Sequence, residues 1–403
     1  MIGRLGLLAV IGAVVAGAYF TIGPGAAAPT GACTSTSAAP VGTAADWPDP
    51  PAVAWTAAAL PMGGEQILLD VAAFGGGFVA VGRDSNGPES HAFVLHSGDG
   101  RRWNEVPGDD LRFNRAEISS LVAVGERLYG IGSASTDDRG GSRVAVWVTR
   151  DGRSWQAADG PFDDAYSTSL AGDDHGLLML GGDSQRDGPM AWNSTDGLAW
   201  EAQPLDLPVR AADVQFGELM AVEDGWMAAG SVSSGPDGPS APVVWRSADG
   251  VAWSCHVLDA GGSSRSHASA LYRSGHGWLL VGGVSDGCGF GASCPAQQST
   301  WTSPDGLAWS DAVLDADPIQ MGASAYAGRD DGFIGVGNGT WLSRDGRDWV
   351  RVSDGETSGA LDGQTDAVVM IDDGTLVAAG TLHDRNGSAG SWVAVGELRI
   401  GDE

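Results

Sequence analysis

WNSTDGLAW (Trp192 to Trp200) and WTSPDGLAW (Trp301 to Trp309) are two copies of one phrase that this chain writes six times. The other four are LHSGDGRRW (Leu95 to Trp103), WVTRDGRSW (Trp147 to Trp155), WRSADGVAW (Trp245 to Trp253) and WLSRDGRDW (Trp341 to Trp349). Each runs from an aliphatic residue or Trp into Ser or Thr, then Asp-Gly, then a Trp four residues after the Asp. The recurring positions are Ser97, Asp99 and Trp103; Thr149, Asp151 and Trp155; Ser194, Asp196 and Trp200; Ser247, Asp249 and Trp253; Ser303, Asp305 and Trp309; Ser343, Asp345 and Trp349. Asp and Ser or Thr side chains bond the turn's own backbone, and Gly supplies the positive φ that such turns need. A period of roughly 40–55 residues is the mark of a propeller or array, whose single unit cannot bury its own apolar face.

Between the turns the order is constant. An aliphatic or alternating strand, such as ILLDVAAF (Ile67 to Phe74), precedes a second strand with its own phrase, as in GFVAVG (Gly77 to Gly82), GWMAAG (Gly225 to Gly230) and GWLLVG (Gly277 to Gly282). A loop, a third strand ending in the turn, and a fourth strand opened by Trp complete the unit. Short strands with turn signals between them predict a closed all-β fold. Second-strand phrases number seven and complete turn phrases six, and an orphan AWTAAALP (Ala54 to Pro61) carries Trp55 where a fourth strand would open. The expected fold is therefore a seven-bladed β-propeller of four-stranded antiparallel blades, with residues 55–59 closing the last blade beside residues 391–395. That closure would remove the open edge of a linear array.

Eleven of the 16 Trp lie within the six phrases, so Trp here is mainly a repeat element rather than a set of binding aromatics. The formal charge is −29 and all 22 basic residues are Arg, a field that repels phosphate backbones and argues against nucleic-acid binding. The acids concentrate in turns, as in Glu223-Asp224-Gly225 and Asp330-Asp331-Gly332. A calcium-dependent surface is the rival explanation of that acidity. No cofactor motif and no metal-ligand spacing is present, and the seven His are scattered.

Leu5 to Phe20 is an uninterrupted apolar run behind Arg4, too long for a core segment. It predicts an apolar helix within residues 1–28 serving as signal peptide or membrane anchor, a flexible Ala/Thr/Pro linker over 29–50, and the propeller over 51–403. The chain is thus expected outside the cytoplasmic membrane, touching lipid only through this segment. Cys33 sits in a faint lipobox and offers a lipidation site as one alternative to cleavage or retention. Cys288 and Cys294, in GCGFGASC, could close a small disulfide loop.

The Ser/Thr-x-Asp-Gly-x-x-Trp phrase resembles the Asp-box, or BNR, repeat, found in sialidases and in many bacterial envelope proteins, and the likeness extends from residue 51 to the end. In those families the box is a structural turn remote from the active face. The resemblance therefore implies a sialidase-like fold without transferring an activity. Sialidases add three Arg, a Tyr nucleophile with a Glu partner and an Asp acid/base; no Arg-Ile-Pro-like phrase of theirs occurs here. The loops expected opposite the turns carry Arg112, Arg115, Glu117, Asp164, Tyr166, Arg210 and Arg265 as candidate binding residues. Long polar loops on the same face, such as RDSNGPES (Arg83 to Ser90) and STDDRGGSR (Ser135 to Arg143), are where a rigid ring binds partners. The expected function is an exported, noncatalytic module holding a protein or glycan on that long-loop face; the alternative is an exo-sialidase-like glycoside hydrolase.

Overall fold

The computed structural model describes residues 33–35, 52–61, 66–85, 90–107, 115–135, 142–185, 188–210, 214–234, 238–261, 265–285, 297–310, 313–314, 323–352, 363–371, 373–383 and 389–399. Among them there is strand and turn but no helix. The expected N-terminal helix and most of the linker lie outside the described residues, as do Arg112, Cys288 and Cys294.

Residues 66–105, 116–157, 165–204 and 323–351 each form a four-stranded antiparallel meander in chain order. An eight-stranded sheet over residues 214–314 consists of two further meanders, 214–257 and 265–314, joined by a single parallel pairing of Ser240 with Arg265. Residues 364–399 supply three strands to the remaining sheet, and Ala52–Ala57 supplies its fourth. The first strand of each meander touches the first strand of the next, and Gln364–Met370 touches Gln66–Phe74, so the row closes on itself around an axis lined by first strands.

The Ser/Thr-x-Asp-Gly turns show how the repeat builds this ring. In all six, the Asp Oδ1 accepts the N–H groups two and three residues on, at 2.6–3.1 Å. From Thr149 onward the hydroxyl oxygen accepts the turn Gly N–H at 2.8–3.0 Å. The Gly φ values run from +69° to +77°, where a side chain is strained. Space forbids one as well. A Cβ on Gly197 would lie 2.1 Å from the Tyr129 ring, and one on Gly152 would lie 2.7 Å from Val79, in each case a residue of the preceding meander. The Trp after each turn is buried in the same seam: Trp200 packs with Tyr129 and Val146 of the preceding meander, and Trp253 with Leu178 and Leu180. Burying one such side chain is worth on the order of 2–3 kcal/mol.

Closure uses the orphan strand at a different offset from the expected one. Ala52–Ala57 runs antiparallel to Ala394–Arg399, with Trp55 opposite Gly396, and Ala58 N–H continues to the Val393 carbonyl at 2.8 Å. The last meander has no Ser-x-Asp-Gly turn to stop its third strand, which runs on from Ala389 to Arg399 and takes its partner further along. Trp55 is 1% exposed, and its Nε1 donates to Thr340 Oγ1 at 2.8 Å across the seam with the 323–351 sheet. Ala59 then exchanges backbone bonds with Arg101 and Trp103, just as Asp159 does with Leu198 and Trp200 after a complete fourth strand.

Cys33 corrects two expectations. Its sulfur is bonded to Cys255, with the Cα atoms 4.8 Å apart, so no thiol is left to carry a lipid thioether. Nor is the start of the linker loose. Thr34 N–H donates to the Cys255 carbonyl at 3.0 Å and Val257 N–H to the Thr34 carbonyl at 2.8 Å, which adds a single parallel bridge at the open edge of the 214–257 meander.

Candidate binding face

Because strands alternate in direction, each first strand begins, each second strand ends and each third strand begins at one end of its sheet, opposite the Asp-Gly turns. The described candidates on first strands sit at that end. Arg265 opens its strand opposite Ser285, Glu117 pairs with Ser133, and Tyr166 pairs with Gly182. Arg115 lies just before its strand with φ +52°, its carbonyl accepting the Ser135 N–H at 2.8 Å. Arg210 lies exposed in the connection before the 214–257 meander.

Tyr166 is the most distinctive of them, at 52% exposed. A Cβ on Gly182 would fall 2.1–2.5 Å from the hydroxyl end of the phenol, so the side chain sits against that glycine while half of the residue stays open to solvent. Beside it, Asp164 Oδ1 accepts Ser184 Oγ at 3.3 Å and Gln185 Nε2 at 3.2 Å, and Asp163 pairs with Arg143 at 3.2 Å. Glu117 is held by Arg83 Nη1 of the neighbouring sheet at 3.2 Å and is less exposed than that arginine. The Tyr166–Glu117 pair that a Tyr nucleophile needs is not formed.

Sequence inspection missed a second set of groups nearer the axis. Each first strand carries a bulge in register with the second-strand phrase, for example between Leu68 and Asp70, Ile118 and Ser120, and Phe216 and Leu219. The side chain there clasps the next sheet: Asp70 Oδ2 accepts the Leu121 N–H at 2.7 Å, Ser169 Oγ the Leu219 N–H at 2.9 Å, and Glu218 Oε2 the Leu271 N–H at 2.8 Å. Asp70 and Glu218 keep a strip of solvent contact although protein surrounds them. Desolvation raises Asp70 to about 6 against the pull of the Leu121 and Val71 N–H groups. It raises Glu218 to about 7, with the Asp70 charge adding to the effect. Aligning the first strands on the GFVAVG and GWMAAG phrases would have placed both in one register.

The opposite face holds an open groove of about 490 Å³ bordered by Leu207, Pro208, Asp224, Arg246, Trp253 and Ser254. Its one cation is occupied, since Arg246 Nη2 grips Asp224 at 2.8 and 3.2 Å and Nη1 donates to the Gly306 carbonyl at 3.1 Å. Among the described residues no three His, Cys, Asp or Glu side chains gather in a metal-binding group.

No family model matches the chain, and neither does any curated protein. Solved structures do. The chain is similar to YCF48 bound to D1 peptide at 14% identity and a TM-score of 0.53, over 86% of this chain and 95% of that one. A protein of unknown function from Dyadobacter fermentans aligns at 14% identity and TM-score 0.47, over 87% and 98%. A mutant of the α-L-arabinofuranosidase Arb93A of Fusarium graminearum, in complex with an iminosugar inhibitor, aligns at 12% and 0.47, over 82% and 92%. The fold is a β-propeller. At such identities the likeness reaches no further than the fold.

Proposed function

We propose that this chain is an exported, envelope-associated, seven-bladed Asp-box propeller that acts as a noncatalytic module, holding a protein or glycan on its long-loop face. The observation that carries this is the Tyr166 platform. Its phenol is seated on Gly182 with half of the residue open to solvent, and the Asp164 carboxylate two positions earlier is fixed by the Gln185 amide. A flat aromatic with planar hydrogen-bonding groups beside it suits a sugar ring or a partner's side chain. Glu117 is tied to Arg83 rather than aimed at the phenol, which favours recognition over the covalent chemistry of a sialidase. YCF48, a propeller of this fold, is seen with a peptide bound, which supports a protein as one class of ligand. The Leu5 to Phe20 run supports export or anchoring.

The test sets glycan- and peptide-array retention against fluorogenic sialoside turnover for the wild type, Y166F, Y166A and G182A. We expect no turnover by any of them. Retention should persist in Y166F, which keeps the ring, and fall at least tenfold in Y166A and in G182A, whose new Cβ displaces it. Turnover in the wild type that disappears in Y166F would establish the hydrolase instead.

A further inference from the structure

The disulfide and the Thr34 pairing fix where the N-terminal segment leaves the ring. Ser254–Val257 runs from the Asp-Gly turn at residues 247–253 toward the long-loop face, since it pairs antiparallel with Ser240–Ser247. Thr34 pairs with His256 in parallel, so Cys33 enters this pairing from the turn side. Cys33 itself packs, with Leu205 and Leu207, against the core cluster containing Trp253. Among the described residues the next hold on the ring after this staple is Ala52, at the edge of the 364–399 sheet.

We infer that the Cys33–Cys255 staple turns the Asp-Gly turn face toward a lipid bilayer and presents the long-loop face away from it. The inference rests on the proposal that Leu5 to Phe20 is retained as an anchor. Cys33 lies thirteen positions after Phe20, a reach of at most ~45 Å, whereas Ala52 lies thirty-two positions after it, a reach of ~110 Å. The staple thus shortens the tether more than twofold and moves its attachment to the edge of the 214–257 sheet. The net charge of −29 opposes close contact with anionic headgroups, so the ring is held near the bilayer without lying in it. Reduction would lengthen the tether and release the orientation, making presentation of the long-loop face depend on an oxidising compartment.

The test uses the full chain in phosphatidylcholine vesicles carrying an acceptor dye on the lipid. A donor is attached through a non-thiol handle at Ala248, in the turn of the 214–257 sheet, or at Ser234, at the other end of that sheet; both positions are exposed. Energy transfer from Ala248 should be at least twice that from Ser234, and the difference should vanish in C33S/C255S. Equal or greater transfer from Ser234 in the disulfide-bonded protein overturns the inference. A chain that does not float with vesicles refutes the anchor, and with it the bilayer-facing orientation. Spin labels at Ala28 and at either Ala248 or Ser234, in detergent, read the exit independently of membrane and serine variants alike. Ala28 is within ~18 Å of Cys33; the inference expects the shorter distance to Ala248, and a shorter one to Ser234 overturns the fixed exit.

Discussion

Replacing Glu218 by Gln should stabilise the ring at alkaline pH and leave it unchanged in mild acid. The carboxylate is hemmed in beside the axis, with one oxygen accepting the Leu271 N–H at 2.8 Å, and burial lifts its pKa from the ordinary 4.5 to about 7. A carboxyl that is a weaker acid when folded makes the folded state bind the extra proton between those two values. Stability is therefore complete below about pH 4.5, declines as pH rises toward 7, and stays lower above that. The full shift corresponds to roughly 3 kcal/mol at pH 8; residual solvent contact reduces this to about 1.5–3 kcal/mol. Gln keeps an acceptor for Leu271 and removes the charge. Urea unfolding at pH 4 and pH 8, at fixed ionic strength, should show E218Q within about 0.5 kcal/mol of wild type at the lower pH and more stable by about 1.5–3 kcal/mol at the higher. An equal change at both pH values would refute the placement of this carboxylate.

Five of the turn aspartates act with the opposite sign. Asp151 is lowered to about 2, as the Ser154 and Arg153 N–H groups outweigh the burial that opposes its charge, and Asp99, Asp196, Asp249 and Asp305 are also lowered. Their contribution is present above about pH 4 and lost as pH falls below it, toward 2 for Asp151, so with Asp70 and Glu218 acting above, thermal scans should find maximal stability near pH 4–5. W55A removes a side chain that is 1% exposed and strands the Thr340 hydroxyl, at a cost of about 4–6 kcal/mol. The midpoint should fall by roughly 6–8 °C, while L307A, at a 58% exposed position, should hardly move it. G197A should cost about 2–4 kcal/mol in denaturant unfolding because its Cβ meets Tyr129, whereas G75A, with φ +61° but open space, should cost about 1 kcal/mol.

The ring was legible because its signals are local and repeated. Asp-Gly with a preceding hydroxyl dictates a turn within four residues, and a Trp at a fixed offset marks each seam. Trp55 revealed closure by standing alone with fourth-strand spacing. Its register was not legible, since the offset depends on how far the strand to Arg399 continues once no turn halts it. Cys33 and Cys255 are separated by 222 positions, and nothing near either one announces the other. Glu218 reads in sequence as one more acid among 51 Asp and Glu residues, and only alignment of the bulges shows that it faces inward. Tyr166 and Glu117 were chosen by residue type, which does not reveal that they stand on different sheets or that Arg83 reaches Glu117 from a neighbouring one.

Cysteine cross-linking across the seal reaches the central claim most directly. Ala54 and Glu397 are cross-strand partners and both are exposed. In an A54C/E397C chain, oxidation followed by peptide mass spectrometry should recover these two cysteines linked to each other, with the Cys33–Cys255 bond intact. An A52C/E397C control, two residues out of register, should remain largely unlinked. Linkage in the control but not in the matched pair, or in neither, would show that the chain ends do not seal the ring as described.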